Sequence, residues 1–310
     1  MIDVLILNHT TKNCGVYQFG KRVAELAIRS EKLDVRYYEI DTEQEYEYLV
    51  EKLQPKMIIF NWYPITMQWL SFKPLKDHIK SYFFFHDGHY KPEFEKMVFL
   101  GVYEKADGHQ FNPEKKILLP RPLLDYESTY NGNELFTVGS FGFGFYHKGF
   151  PDIVSKINEE FDEAVVNLHI PKGHFGDPHG EQAEEVRQEC LNRNKKPGII
   201  VNITTELKSE KELLDFLGKN DINAFFYGGV SEGISSVIDY ALSVKRPIAL
   251  TNNMMFRHVI SDDILIEKNT FQEIFDRQLA PLEKFLTDWS TENFIKEFDR
   301  VIQGELDAPK

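Results

Sequence analysis

The chain has 310 residues, a formal net charge of −13 at pH 7 and 42% hydrophobic residues, an ordinary composition for a globular protein. The negative charge repels phosphate backbones and anionic lipid headgroups, so it argues against nucleic-acid binding and gives no indication of membrane contact. The length favours two domains over one.

The cysteine content and the apolar segments bear on the compartment. Cys14 and Cys190 are the only cysteines and lie far apart in sequence, which fits a reduced compartment better than a disulfide scaffold. The sequence begins with a short strand-like segment rather than a basic region and a long apolar run, and no stretch approaches the roughly 18 apolar residues of a membrane span. We therefore expect a cytoplasmic protein.

The first 122 residues alternate short apolar segments with longer amphipathic ones, the pattern of βα units that build a parallel sheet. The predicted strands are VLILN, LDVRYYEI, KMIIFNW and SYFFFHDG, followed by the extended segments VFLGVYEKA and KILLPRPL. The predicted helices are GVYQFGKRVAELAIRS, TEQEYEYLVEKL with Thr42 as its N-cap, and a short one near TMQWL. These elements predict a first Rossmann-like domain over residues 1–122.

The same alternation restarts after residues 123–134, which carry asparagine and glycine without a clear period and are predicted to be a linker. The predicted strands are LFTVGSFG, AVVNLHI, GIIVNIT, INAFFYGG and PIALTN. The predicted helices are PDIVSKINEEF, EQAEEVRQECLNRN and SEKELLDFLGKN. We expect a second Rossmann-like domain over 135–285, and a C-terminal helix over 286–310 that crosses back to the first domain.

Two loops of the first domain follow the carboxyl ends of predicted strands, where open α/β sheets bind ligands. In NHTTKNCGVYQFG, Gly15 lets the backbone approach a ligand at a helix N-terminus, although a tight turn would require glycine as well. In FFFHDGHY, His86 and Asp87 are candidates for acid–base chemistry or substrate orientation. A polar histidine satisfied by a neighbour is the structural alternative for His86.

The segment SEGISSVIDYALSVKRP, residues 231–247, places an acid and small polar residues between a predicted strand and a helix. A diphosphate resting on the N–H groups at the positive end of that helix, with Glu232 accepting hydrogen bonds from sugar hydroxyls, is the functional interpretation. Helix capping by the serines and a solvated helix face for Asp239 are the alternatives. The N–H groups are those of Gly233, Ile234, Ser235 and Ser236.

This segment resembles the donor-binding segment of the retaining GT-B glycosyltransferases of family 4 (glycosyl transferases group 1), which carry an E-x7-E motif. Glu232 takes the position of the first glutamate, but Tyr240 stands where the second is expected. The second glutamate of the family usually binds the nucleotide ribose. The resemblance therefore implies that Asp239 or the Tyr240 hydroxyl does so here, or that donor binding has changed.

Further matches follow in the family's order. TVGSFGFGFYHKGFPDIV is similar to a segment in which an arginine and a lysine neutralise the donor diphosphate; Lys148 matches the lysine and Gly142 lies in the glycine-rich loop, which has no arginine. NCGVYQFGKRVAELA resembles the first loop and helix of the acceptor domain, and FFFHDG the histidine that faces the transferred sugar. The implied acceptor-binding residues are Asn13, Tyr17 and Asp87.

The resemblance implies the α/β GT-B fold, with two Rossmann-like doubly wound domains facing each other across a cleft. It implies a hexosyltransferase that moves a sugar from a nucleotide-diphosphate sugar to a glycan, a lipid-linked sugar or a small molecule, with retention. His86, Glu232 and Lys148 would be its catalytic residues. No cofactor or metal is expected beyond the nucleotide sugar as co-substrate.

Other functions stay open to different degrees. A GT-B-shaped protein that binds a nucleotide sugar or a partner without transfer is consistent with the missing arginine and with Tyr240. An epimerase of the same fold would need additional carboxylates. A dehydrogenase is disfavoured because Gly139, Gly142 and Gly144 do not follow G-x-G-x-x-G.

For two further groups of residues, a structural role is favoured over a functional one. The loop that holds four potential metal ligands matches no zinc-binding spacing and is predicted to be a polar loop. The basic side chains of the first helix are predicted to form a solvated face, with contact to an acidic acceptor or a membrane as the alternative. The two groups are His169, His174, Asp177 and His179, and Lys21, Arg22 and Arg29.

Overall fold

The protein is described by a computed structural model over residues 1–12, 14–71, 76, 78–86, 94–101, 113–173, 176–229 and 233–309. The chain divides into two compact units, Met1–Pro122 with Asp288–Lys310, and Leu123–Thr287. Each unit contains one parallel sheet flanked by helices, so the predicted α/β class with two Rossmann-like domains is confirmed. Within the described ranges, no helix has the length and apolar content that a membrane crossing requires.

The first unit is built on a parallel sheet with the strand order β2-β1-β3-β4-β5-β6. Its strands are β1 (Val4–Asn8), β2 (Val35–Glu39), β3 (Met57–Phe60), β4 (Lys80–Phe84), β5 (Lys96–Leu100) and β6 (Lys116–Leu119). Its first helices are α1 (Gly15–Ala27), α2 (Glu43–Leu53) and α3 (Gln68–Ser71). Thr42 is the N-cap of α2 as predicted, because its side chain and that of Glu45 each accept the other's backbone N–H.

The order of these strands reverses between β1 and β3. The chain moves from β1 outward to β2, then returns past β1 to β3 and continues outward on the other side. Helices on opposite faces of the sheet then diverge at the carboxyl ends of β1 and β3, which leaves a crevice where doubly wound folds bind ligands. Asn8 ends β1, and Asn61 directly follows β3.

The second unit has a parallel sheet with the strand order β11-β10-β7-β8-β9. Its strands are β7 (Thr137–Phe141), β8 (Ala164–His169), β9 (Ile199–Thr204), β10 (Ile222–Phe225) and β11 (Ile248–Leu250). Its helices are α4 (Phe150–Glu160), α5 (Glu181–Arg193), α6 (Glu210–Gly218), α7 (Val237–Ser243), α8 (Phe271–Asp276) and α9 (Glu283–Asp288). The order reverses between β7 and β10, so the crevice of this sheet lies beyond their carboxyl ends.

The last helix, α10 (Thr291–Asp307), packs in the first unit. Phe294, Phe298 and Ile302 recur every four residues and are fully buried in the core of that unit. Near the end of the helix, the Glu305 carboxylate accepts hydrogen bonds of 2.6 Å from the Lys96 ammonium and from the Tyr82 hydroxyl. Apolar burial and a charged hydrogen-bond network therefore both hold α10 in the first unit.

One prediction about the first helix is wrong. Arg22 is only 3% exposed and does not belong to a solvated face. Its guanidinium carbon lies 5.5 Å from the centroid of the Phe19 ring, because residues three apart share a helix face and Phe19 lies in the core. Lys21 lies on a different face and forms an ion pair with Glu25.

Candidate functional site

Asn61 organises the crevice of the first unit. Its Nδ2 donates to the Asn8 Oδ1 at 2.7 Å and to the Val16 carbonyl at 2.8 Å, and its Oδ1 lies 2.7 Å from the His86 Nε2. Because the Asn61 amide nitrogen donates to both neighbours, its oxygen accepts, and the His86 Nε2 carries the hydrogen. Side chains at the carboxyl ends of three adjacent strands are thereby joined. We call Asn8, His9, Asn61 and His86 the asparagine–histidine cluster.

Both histidines of this cluster are uncharged near neutral pH. Burial lowers the pKa of His9 to about 4, and the carboxylates of Asp41 and Glu39 offset only part of that effect. Burial, the positive charge of Arg121 and the neighbouring His9 lower the pKa of His86 to about 3. The cluster therefore offers neutral hydrogen-bonding groups to a ligand.

The other predicted residues of the first unit lie at the same edge of the sheet where the structure describes them. Gly15 is the first residue of α1, and a Cβ atom added to it would meet no other atom within 4 Å. Tyr17 is buried, its ring centroid lies 5.8 Å from that of His9, and its hydroxyl donates to the Glu39 carboxylate at 2.6 Å. Asn13 and Asp87 are outside the described residues.

Tyr227 is the centre of the crevice in the second unit. The Lys148 ammonium lies 3.8 Å from the centroid of its ring, and the Ser235 hydroxyl lies 3.2 Å from its hydroxyl. A Cβ atom on Gly142 would lie 3.9 Å from the same hydroxyl. Three residues predicted to bind the donor, Gly142, Lys148 and Ser235, thus surround one buried tyrosine at the ends of β7 and β10.

Backbone contacts hold this arrangement in place. Lys148 ends a short 3-10 helix, and Gly149 follows it with a φ of 65° that favours glycine. The His147 carbonyl accepts the Gly228 N–H at 2.8 Å, which ties the loop after β7 to the loop after β10. The Asn253 side chain donates to the Tyr227 carbonyl at 3.2 Å. The segment that carries Lys148 is therefore bonded to its neighbours on the sheet edge.

The start of α7 differs from the expected arrangement. The helix begins at Val237, and Ser236 is its N-cap residue but makes no capping hydrogen bond with its side chain. The Ser235 N–H donates to the Met255 carbonyl at 3.1 Å. In this conformation, one of the four N–H groups predicted to face a diphosphate is bonded to the protein itself.

The remaining predicted donor residues have varied surroundings where the structure describes them. Asp239 is fully buried. The Tyr240 ring packs in an apolar cluster with Leu214, Leu217 and Val244. The others are the half-buried Gly233 and Ile234, while Glu232 lies outside the described residues.

The candidate metal-binding loop has structural roles where it is described. The Asp177 carboxylate accepts the N–H groups of Gln182 and Ala183 at the start of α5, and the His169 Nδ1 lies 2.9 Å from the Thr204 hydroxyl. No group of side chains with metal-ligand spacing occurs among the described residues, which do not include His174.

Sequence reasoning missed three residues that the structure brings to the two crevices: His9, Asn61 and Tyr227. Each directly follows a strand or lies two residues beyond its end. His9 lies in the loop NHTTKNCGVYQFG, which the sequence already indicates, and the rule that ligands bind at the carboxyl ends of strands also points to Asn61 and Tyr227.

Comparisons with known proteins identify the fold. No model of a known protein family matches the sequence, and no curated protein matches it significantly. A glycosyltransferase from Rickettsia africae superposes with a TM-score of 0.68 at 10% identity, over 99% of this chain and 100% of that one. The lipopolysaccharide outer core galactosyltransferase WaaB gives 0.66 at 8% identity, over 98% and 100%. The Anabaena protein HepE in complex with UDP gives 0.58 at 11% identity, over 98% and 95%. The chain has the two Rossmann-like domains of the GT-B fold that glycosyltransferases share.

Proposed function

We propose that the protein is a glycosyltransferase that moves a sugar from a nucleotide-diphosphate sugar to a hydroxyl group of an acceptor. The similar structures support this class of reaction, since they include a galactosyltransferase, HepE bound to UDP, and the trehalose-6-phosphate synthase OtsA bound to UDP-2-fluoro glucose. On the same grounds, we propose a UDP-sugar as the donor.

The observation that carries the proposal is the position of Lys148. It lies at the crevice of the second unit, and among the described residues no carboxylate forms an ion pair with its ammonium. A diphosphate that bound there would gain a charge-assisted hydrogen bond. The same contact would strengthen as negative charge develops on the leaving diphosphate, which is how a positioned cation lowers a barrier.

The proposed chemistry retains the anomeric configuration, as the sequence resemblance implies. The bond from the sugar's anomeric carbon to the diphosphate oxygen breaks, and a bond to the acceptor oxygen forms on the same face. The acceptor proton passes to the departing diphosphate. Lys148 stabilises that leaving group, Glu232 holds sugar hydroxyls, and the crevice of the first unit binds the acceptor.

The test measures donor turnover directly. The protein is incubated with UDP-glucose, UDP-galactose and UDP-N-acetylglucosamine, UDP release is quantified, and the anomeric configuration of any product is read by NMR. Glu232→Gln should abolish release without loss of folding, whereas Glu297→Gln, on a surface ion pair of α10, should not affect it. Full activity of Glu232→Gln would refute the role of that residue.

A second candidate is a nucleotide-sugar-binding protein without transferase activity. Two observations favour it: the Ser235 N–H is bonded to the Met255 carbonyl, and the Tyr240 ring lies in an apolar cluster. Such a protein would bind UDP-sugars in calorimetry but release no UDP with any acceptor. Lack of binding to UDP and to all three donors would contradict both candidates.

A further inference from the structure

The strand β9 forms an unprotected edge of the second sheet. It pairs only with β8, and its sequence IIVNIT has six residues without a charge, a proline or a glycine. Natural edge strands use such residues, or are very short, to avoid pairing with further strands. The other edges of the two described sheets follow this rule: β2 carries Arg36 and Glu39, β6 starts at Lys116, and β11 has only three residues. Among these edges, β9 is the one suited to accept another strand.

The backbone of β9 directs alternate residues toward β8 and away from it. The Thr204 carbonyl accepts the N–H of Ile170, which follows β8, at 2.8 Å, so the even-numbered residues of β9 face β8. The N–H and carbonyl groups of Val201 and Ile203 therefore point outward in the plane of the sheet. Across the described ranges of the chain, no hydrogen bond reaches these groups.

A row of asparagine side chains crosses the second sheet and ends at this edge. The Asn220 Nδ2 donates to the Phe216 carbonyl at 3.1 Å and to the Asn223 Oδ1 at 3.0 Å, so its Oδ1 accepts from the Asn167 Nδ2 at 3.0 Å. The Asn167 Oδ1 in turn accepts from the Asn202 Nδ2 at 3.1 Å. The hydrogen bonds of the row therefore fix the orientation of each amide up to the edge.

The amide of Asn202 is left with one donor and one acceptor. Asn202 is exposed, one of its two N–H groups is used by Asn167, and no described residue contacts its second N–H or its oxygen. Such an amide is complementary to a copy of itself, because each can donate one hydrogen bond to the other. An edge with this property suits an isologous interface, in which the same surface is used by both subunits.

We propose that two copies of this chain form a dimer through β9, with the two strands antiparallel about a twofold axis at Asn202. Val201 of each copy then lies opposite Ile203 of the other, and this pair exchanges N–H···O hydrogen bonds. The two parallel sheets become one continuous sheet. The inference goes beyond the proposed function, because β9 carries none of the residues proposed to bind the donor or the acceptor.

The side chains and charges of this edge fit a second copy. The Ile200 side chain is 49% exposed and would lie opposite Thr204 of the other copy, which covers apolar surface. A chain with a net charge of −13 repels its own copies, so an uncharged strand is where they can approach. Antiparallel pairing also brings the end that carries Lys195 beside the end that carries Glu206 of the other copy.

Sedimentation equilibrium of the full-length protein tests the dimer. We expect twice the mass of one chain at micromolar concentrations, and slow hydrogen exchange at the amides of Val201 and Ile203 under the same conditions. Asn202→Asp places two carboxylates opposite each other and should raise the dissociation constant of the dimer about tenfold or more. Asn131→Asp adds the same charge at an exposed asparagine before β7 and is the matched control, which should dissociate as the parent protein does.

A charge exchange at the axis separates pairing from folding. Asn202→Lys and Asn202→Asp should each dimerise weakly, whereas an equal mixture should dimerise more tightly than either variant alone, since the two charges then attract. Circular dichroism of each variant verifies that it is folded. Only a residue that faces itself across the twofold axis gives this recovery.

A cross-link measures the distance between the strands. Opposed residues of this type have Cα atoms about 4.5 Å apart, within the span of a disulfide. Cys14 and Cys190 are buried, so Asn202→Cys supplies an exposed thiol and should oxidise in air to a cross-linked dimer. Asn131→Cys is the control and should stay largely without a cross-link.

Three results would overturn the inference: a monomer at every concentration, equal dissociation constants for Asn202→Asp and Asn131→Asp, or no gain when the Lys and Asp variants are mixed. A monomer that gains protection at Val201 only when another protein is added would assign the edge to a foreign strand instead. None of these measurements contains a nucleotide sugar, so their outcome is distinct from that of the test for sugar transfer.

Discussion

The Lys148 ammonium lies 3.8 Å from the centroid of the Tyr227 ring, at the carboxyl ends of two adjacent strands. A cation held in this way is partly dehydrated and ready to pair with an anion. We expect Lys148→Ala to weaken UDP binding in calorimetry by about 10- to 100-fold, the effect of losing a charged hydrogen bond of about 1.5–3 kcal/mol.

The matched control for this change is Lys52→Ala. The Lys52 ammonium also lies over a tyrosine ring, 5.2 Å from that of Tyr48, on the surface of α2 in the first unit. The Lys52→Ala substitution therefore removes the same charge and the same type of cation–ring contact, but at a place outside the crevice. Equal affinity losses in both variants would mean that Lys148 acts only through the net charge of the protein.

Gly149 permits the turn that presents Lys148. A Cβ atom there would lie 1.9 Å from the Phe226 carbonyl oxygen, and the φ of 65° is itself unfavourable for other residues. We expect Gly149→Ala to lower the free energy of unfolding by roughly 3 kcal/mol and to weaken UDP binding, because the backbone must move.

Gly132→Ala separates the effect of the positive φ from the effect of the close contact with Phe226. Gly132 also has a positive φ, 91°, but a Cβ atom there would meet nothing within 4 Å. Its substitution should cost about 1 kcal/mol in urea unfolding and leave UDP affinity unchanged. If the two variants were equally stable, the contact with Phe226 would have no energetic role.

Local elements could be predicted from the sequence because their causes are local. VLILN forms β1 over the five residues predicted, since an apolar run bounded by polar residues has one way to be buried. Thr42 is the N-cap of α2 as predicted, and the structure adds a capping box with Glu45. Lys148 is predicted from the resemblance of its segment to the one that carries the family's diphosphate-binding lysine. Its segment has a local cause as well, because a short 3-10 helix with Gly149 as its C-cap sets the backbone conformation around Lys148.

The pairing of distant segments could not be predicted in the same way. Asn61 and His86 meet only because β3 and β4 are adjacent in the sheet, and no pattern within either segment encodes that order. Tyr227 ends a run of aromatic and apolar residues and has the composition of a core residue, which its 3% exposure partly justifies. Arg22 is a charged residue placed in the core, contrary to the usual preference.

Gly20 keeps α1 close to the asparagine–histidine cluster. A Cβ atom on Gly20 would lie 2.2 Å from the Asn61 Cγ, so Gly20→Ala must displace the amide that bonds Asn8 and His86. We expect a loss of about 2–3 kcal/mol in urea unfolding, although alanine is normally the better helix residue.

Gly304→Ala in α10 provides the comparison, because a Cβ atom there would meet nothing within 4 Å. That change should raise the free energy of unfolding by about 0.5–1 kcal/mol through helix propensity alone. The two glycine substitutions therefore have opposite expected signs. Stabilisation by both would show that Asn61 can move without loss of its hydrogen bonds.

The buried histidines make stability depend on pH. Burial lowers the pKa of His9 and of His169 to about 4, while the pKa of histidine in an unfolded chain is close to its ordinary value of 6.5. Between these values the unfolded state binds more protons than the folded state, so the free energy of unfolding falls as the pH falls. For each of these two histidines, the free energy of unfolding should be ~1–2 kcal/mol lower at pH 5 than at pH 7.

Urea unfolding at pH 7 and pH 5 measures this effect. The double variant with His9→Phe and His169→Phe removes both groups and should lose their share of the difference between the two pH values. His86, whose pKa burial lowers to about 3, keeps its own share in this variant. The pKa of Asp3 is lowered chiefly by its hydrogen bond with Lys56, so Asp3 stabilises the folded state above the ordinary aspartate pKa of 3.8 and loses that contribution only below it. A double variant that keeps the full loss between pH 7 and pH 5 would assign the acid sensitivity to groups other than these two rings.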